Sequence, residues 1–285
     1  MTGETFDPAS YLTGLEDAAR VIRAPMPHGG DMVWHQWGAG HPVVLMHGSF
    51  GAWTHWTKNI QALVAAGYRV IAGDTPGLGD SDAPPEDWDI YSIGRLVAGA
   101  IDFALAPGER FHLAGFSFGG IVGGQAVHAM ADRCDGFVVV GSNALGVRLN
   151  EARPDLWKMR STMTAEEMLH VHRHNLGVIM FGDHGRIDPL ALHIQQRSTR
   201  KARIRSNTIP RGDSLAAVLR AIDVPVTGIF GEKDATAGPY MQDRRDVFEP
   251  LPHCRGFHVV EGAGHWAQYE RPDLVNPLLL DALAG

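Results

Sequence analysis

Residues 114–120 read AGFSFGG, which places Ser117 between two phenylalanines and beside Gly115, Gly119 and Gly120. In a chain with 34 glycines such a pattern also arises by accident, so its setting decides its meaning. The preceding run RFHLAGF (110–116) has the continuous apolar character of a buried strand, and 118–132 reads as a helix. A serine on a sharp strand-to-helix turn needs glycines where a Cβ would strike the neighbouring strand or helix. Its hydroxyl then sits at a helix N-terminus, where unpaired N–H groups and the helix dipole favour negative charge. A serine hydroxyl is a weak nucleophile until a base takes its proton, and the base needs an acid to orient it. Downstream, GIFGEKDAT places Asp234 just past one predicted strand, and VVEGAGHWAQ places His265 just past the last. Of the fifteen histidines, His265 alone follows the last strand in a glycine-rich loop. The segment LMHGSFGAW (45–53) supplies an electrophilic loop: the backbone N–H groups of Ser49 and Phe118 are expected to converge on a developing oxyanion, with Phe50 as the alternative to Ser49.

These residues need a frame. Short apolar runs at 31–38, 42–48, 68–74, 110–116, 136–142, 224–231 and 256–262 predict strands, and helices are predicted at 54–66, 90–105, 118–132, 213–221 and 272–284. Continuous apolar strands alternating with helices predict a mostly parallel sheet covered on both faces. Residues 145–212 break the rhythm, showing helical patterns rich in Met, His and Arg without a convincing strand. The expected organisation is therefore an α/β core formed by 1–144 and 213–285, with 145–212 as a helical lid over the carboxyl ends of the strands.

Composition sets the outer limits. The chain has 285 residues, is 45% hydrophobic and carries a formal net charge of −7. That charge argues against a general nucleic-acid binder, which must neutralise phosphates with Lys and Arg. No apolar stretch approaches the length of a membrane span, and the first twenty residues lack the pattern of a signal peptide. Two cysteines, Cys134 and Cys254, without a CxxC pairing suit free thiols in a reducing cytoplasm. No heptad repeat is present, which leaves homo-oligomerisation open.

Taken together, these segments resemble the α/β-hydrolase superfamily over residues 20–285, in which nucleophile, acid and histidine follow one another in that order. DTPGLGDSD (74–82) also matches a loop of that superfamily, and a serine at 117 departs from the dehalogenases and epoxide hydrolases, which carry a carboxylate there. Within the superfamily, GHWAQYE (264–270) resembles the segment around the histidine of meta-cleavage product hydrolases, which cut a C–C bond in dienoate products of aromatic-ring fission. That resemblance implies a triad of Ser117, Asp234 and His265, a pocket lined by Trp266, no cofactor, and a proton transfer that ketonises the dienol before cleavage. Two departures stand out. The family carries Asn directly before its serine, whereas this chain has Phe116, which points to a more apolar pocket wall with Phe50. The family also uses a lid arginine on the substrate, for which Arg197, Arg200 and His193 are the candidates here.

Other motifs predict less. RSTRKARIR (197–205) reads as a solvated helix face or as a patch attracting a carboxylate substrate. His170 and His174 have helical i, i+4 spacing but no HExxH glutamate, so no metal is expected. GAGHP and GLGD form no dinucleotide fingerprint, and Asp213 is expected to cap a helix. The expected function is hydrolysis of a small carbonyl compound, either a C–C bond in a dienoate or an ester or lactone. A ligand-binding relative without catalysis is the remaining class.

Overall fold

The computed structural model describes residues 6–150, 155–206 and 212–284. Eight strands form one sheet: β1 (Arg20–Pro25), β2 (Asp31–Trp37), β3 (His41–Met46), β4 (Tyr68–Gly73), β5 (Phe111–Phe116), β6 (Cys134–Val140), β7 (Val226–Gly231) and β8 (Cys254–Val260). Their spatial order is β1-β2-β4-β3-β5-β6-β7-β8. β2 runs antiparallel to both neighbours, and every pairing from β4 to β8 is parallel. The helices are α1 (Pro8–Asp17), α2 (Thr57–Ala65), α3 (Ile90–Ala104), α4 (Phe118–Ala129), α5 (Ala165–Ile179), α6 (Pro189–Lys201), α7 (Ser214–Ala221), α8 (Met241–Phe248), the short α9 (Ala267–Glu270) and α10 (Pro272–Ala284).

Strand side chains alternate between faces, and the core divides accordingly. Val44 and Met46 of β3 join Phe118, Ile121 and Leu215 on one face, whereas Val43 and Leu45 join Trp56, Ile60 and Leu279 on the other. This two-sided burial explains why the central strands read as unbroken apolar runs. Three elements escape the sequence patterns. β1 is an edge strand of sequence RVIRAP with most residues at least partly exposed, so it carries little apolar signal. α1 buries only Leu12 and Leu15, and the charged α8 buries only Arg244 and Phe248.

Between β6 and α7 the described residues contain no strand, and α5 and α6 lie there. α5 opens on a capping box: Thr164 Oγ1 accepts the Glu167 N–H while Glu167 accepts the Thr164 N–H. α6 opens on Asp188, whose carboxylate accepts the Ala191 N–H at 2.8 Å, followed by Pro189. The same carboxylate pairs with Lys58 of α2 at 2.7 Å and accepts the Tyr269 hydroxyl at 2.6 Å. Leu176, Leu190, Leu192 and Ile194 pack into the core cluster that also holds α1, α2 and α10, so both helices are anchored to the body.

Much of the basic run serves this anchoring. Arg197 pairs with Glu16 of α1 at 2.9 Å, Lys201 with Asp80 at 2.5 Å, and Arg203 donates to the carbonyls of Gly79 and Ser81. Asp213 does occupy the N-cap position of α7, but its side chain makes no capping bond and lies 3.4 Å from Arg220 instead. His174 stacks on Trp157 at 3.9 Å and bonds the Asp155 carbonyl at 2.6 Å, and no metal-ligating trio occurs among the described residues. No described helix is long and apolar enough to cross a membrane.

Candidate active site

β5 ends at Phe116 and α4 begins at Phe118, leaving Ser117 alone to turn the chain. It does so at φ 50° and ψ −113°, a conformation costing a non-glycine residue on the order of 1–3 kcal/mol. The turn is held by the Ser117 N–H on the Val140 carbonyl at 2.8 Å and the Gly120 N–H on the Ser117 carbonyl at 3.1 Å. The flanking glycines permit the approach. A Cβ on Gly115 would sit 2.5 Å from Gly120 Cα, and one on Gly119 would run into the carbonyl of Met46 at the end of β3.

His265 brings its Nε2 to 3.0 Å from Ser117 Oγ, and its Nδ1 lies 2.9 Å from Asp234 Oδ2. A carboxylate only accepts, so Nδ1 carries the proton and Nε2 faces the serine as an acceptor. The Asp234 side chain is fully buried and lies in the turn just past β7, after Glu232 and Lys233. Burial alone would raise its pKa, yet it is held below the usual carboxylate value by His265 and by the Thr236 hydroxyl and N–H, each 2.8 Å from Oδ1. Asp234 is therefore an anion at neutral pH, placed to hold the proton on His265 Nδ1.

The loop after β3 closes the other side. His47 Nδ1 donates to the Gly48 carbonyl at 2.7 Å and its Nε2 accepts the Thr75 N–H at 2.9 Å. His55 Nδ1 accepts the Gly48 N–H at 3.3 Å. Asp74 accepts the N–H groups of Trp53 and Asp80, which ties this loop to the turn after β4. Phe50 lies in the left-handed region at φ 56°. Ser49 and Phe50 both face the cavity above Ser117, and the backbone N–H of Phe118 opens α4 beneath it.

That cavity has a volume of about 340 Å³. Phe50, Phe116, Leu156, Leu176, Ile179 and Met180 form its apolar wall, and Asn143, Asn175, Gln195 and Thr236 add polar groups. Trp266, expected in the wall, is absent from it. Its indole is fully buried, stacks on Tyr269 at 4.1 Å and donates to the His55 carbonyl at 3.0 Å, so it supports the His265 loop from behind. Arg197, Arg200 and His193 are also absent from the lining; Arg197 points to Glu16.

Three supporting residues carry no sequence signal of their role, although Glu270 closes the GHWAQYE segment. Glu270 accepts the N–H groups of Gly264, Gly182 and Asp183 at 2.7–2.9 Å, joining the His265 loop to the end of α5. The Trp266 N–H reinforces that joint on the Met180 carbonyl at 2.8 Å. Arg244, with no solvent exposure, donates to the carbonyls of Thr236, Tyr240 and Arg148 and to Asn143 Oδ1. Thr236 was visible only as the second residue after Asp234.

Burial keeps four histidines of the strands and loops neutral and makes the fold acid-labile. It lowers the pKa of His47 and of His112 to about 4, and lowers those of His35 and His55. A folded pKa below the unfolded value gives stability that is complete above about pH 6.5 and is lost as pH falls through the folded value. His47 alone accounts for a loss on the order of 3 kcal/mol across that window. Asp74, raised to about 6 by burial, acts with the opposite sign, but four histidines outweigh it. The urea midpoint is expected to fall steadily between about pH 7 and about pH 4.5, and a flat profile would contradict this account.

Comparison with known proteins agrees with this architecture. The model of the Alpha/beta hydrolase family matches residues 43–278. The chain is 32% identical over 263 residues to a 2-hydroxy-6-oxo-6-phenylhexa-2,4-dienoate hydrolase of Burkholderia cepacia, covering 87% of this chain and 89% of that protein. Among solved structures, an esterase from Rhodococcus sp. ECU1013 superposes with a TM-score of 0.75 at 22% identity, covering 93% of this chain and 98% of that one. A meta-cleavage product hydrolase from Pseudomonas fluorescens IP01 does so at 0.72, also at 22% identity, over 93% and 97%. Matching most of its length in sequence, and nearly all of it in backbone, the chain belongs to the alpha/beta hydrolase family and is a hydrolase.

Proposed function

We propose that the protein is a serine hydrolase of a small carbonyl compound, with Ser117 as nucleophile, His265 as base and Asp234 as the acid that orients it. The observation carrying this reading is the Asp234–His265–Ser117 hydrogen-bonded chain, which ends at a strained serine on the cavity floor. His265 Nε2 takes the hydroxyl proton as Ser117 Oγ bonds to the substrate carbonyl carbon. The negative charge moves to the carbonyl oxygen, where the N–H groups of Phe118 and Ser49, with Phe50 as the alternative to Ser49, receive it. Each such donor contributes about 3–4 kcal/mol in the transition state. His265 then returns the proton to the leaving group, and water attacks the acyl-enzyme by the same route. Residues 145–212 act as the lid, since α5 and α6 supply Asn175, Leu176, Ile179 and Gln195 to the cavity.

Two substrate classes follow from different observations. The relative from Burkholderia cepacia, a 2-hydroxy-6-oxo-6-phenylhexa-2,4-dienoate hydrolase, supports C–C cleavage of a dienoate, with ketonisation before the attack of Ser117. Phe116 at the floor and the predominantly apolar wall favour an ester or lactone. Parallel kinetics on a coloured dienoate and on p-nitrophenyl esters separate the two. Turnover of the dienoate at least tenfold more efficient than that of any ester supports the first; ester turnover alone supports the second. Failure to hydrolyse either class would contradict the proposal.

A further inference from the structure

The lining of the cavity bears on what the substrate carries away from its reacting carbonyl. Its polar side chains besides Ser117 and His265 are Ser49, Asn143, Asn175, Gln195 and Thr236; apart from His265, no titratable group occurs among its described lining residues. Asn175 and Thr236 are already committed. Asn175 accepts the Trp157 N–H at 2.9 Å and donates to the Trp157 carbonyl at 3.0 Å, and the Thr236 hydroxyl is turned to Asp234.

Asn143 is oriented by a charge. The buried guanidinium of Arg244 donates to its Oδ1 at 3.1 Å. A guanidinium has donors and no acceptor, so the carboxamide must keep its oxygen toward Arg244. The amide Nδ2, with two N–H donors, takes no part in that contact and belongs to a side chain that lines the cavity. Arg244 cannot release it easily, because it is itself fixed by the carbonyls of Thr236, Tyr240 and Arg148. Gln195 faces the same cavity from α6, its side-chain amide makes no bond among the described residues, and it can rotate to donate or accept.

We propose that this cavity selects uncharged substrates whose distal group accepts a hydrogen bond, with Asn143 and Gln195 as its specificity residues, and that it disfavours substrates with a distal carboxylate. The proposal rests on the hydrolase reading of Ser117. Amide donors satisfy an ester, ketone or lactone oxygen well, but a carboxylate removed from water needs a cationic partner, and the described lining residues include no Lys or Arg. Of the lid arginines, Arg197 pairs with Glu16, Arg203 donates to backbone carbonyls, and Arg200 does not line the cavity. A dienoate substrate is thereby disfavoured relative to a neutral ester of similar size.

Three p-nitrophenyl esters of one chain length test this: the valerate, the methyl glutarate and the hydrogen glutarate. The expected kcat/KM is highest for the methyl glutarate and about 100-fold lower for the hydrogen glutarate. N143A should remove the advantage of the methyl glutarate over the valerate. Q195R, by adding the missing cation, should narrow the gap between neutral and anionic esters by tenfold or more. Equal turnover of the two glutarates by the unaltered enzyme would overturn the proposal. Turnover of none of the three, together with no fluorophosphonate adduct on Ser117, would refute the hydrolase site and this inference with it.

Discussion

Replacement of Ser117 by alanine is expected to lower kcat by about 10⁴–10⁶-fold while the protein folds normally. The hydroxyl is the one group in the cavity that both touches a base and can form a covalent intermediate, so its loss leaves only the binding and oxyanion contributions. Folding should survive because the turn is held by backbone bonds to Val140 and Gly120, not by the hydroxyl. Ser117→Gly makes the same point with a second readout. At φ 50° the Cβ is a strain, and removing it is expected to add about 1 kcal/mol, raising Tm by roughly 2–4 °C as activity disappears. A gain in stability with loss of turnover is the signature of a residue kept for chemistry. Circular dichroism melts beside steady-state kinetics check both substitutions. Activity within tenfold of the unaltered protein would remove Ser117 from the mechanism.

Asp234→Asn should be the next most damaging change, at about 10⁴-fold in kcat. The carboxylate holds the proton on His265 Nδ1, so Nε2 is free to accept from Ser117. An asparagine is held by the same two donors from Thr236 on its oxygen, which turns its NH₂ toward His265. The ring would then take the opposite tautomer and present an N–H to the serine. Much of the loss should return as pH rises and hydroxide substitutes for the base, whereas the unaltered enzyme should level off. A kcat–pH profile of the variant that is merely scaled down would point to a structural defect instead.

The order of site residues was legible because each occupies a loop immediately after a strand, and apolar runs mark strand ends well. Ser117 was the clearest, since the steric demand of its turn is written as glycines on both sides. β1 and α8 were not legible, because an edge strand and a charged helix bury too little to leave a pattern. The supporting contacts were hidden for another reason. Arg244 and Glu270 look like surface residues in the sequence, and only the convergence of distant loops turns their charges inward onto backbone groups. Trp266 was misplaced because adjacency to His265 in sequence does not imply adjacency to substrate: the turn into α9 sends its indole behind the histidine. The basic run from 197 to 205 was ambiguous without knowledge of its partners, Glu16 and Asp80, which are supplied by segments more than a hundred residues away.

The most direct test of the site is intact-protein mass spectrometry after exposure to a fluorophosphonate, followed by peptide mapping. One adduct per chain on Ser117, absent from Ser117→Ala and strongly slowed in His265→Ala, is the predicted result. A folded protein that remains unlabelled, or that is labelled on a different serine, would contradict the assignment of Ser117 as an activated nucleophile.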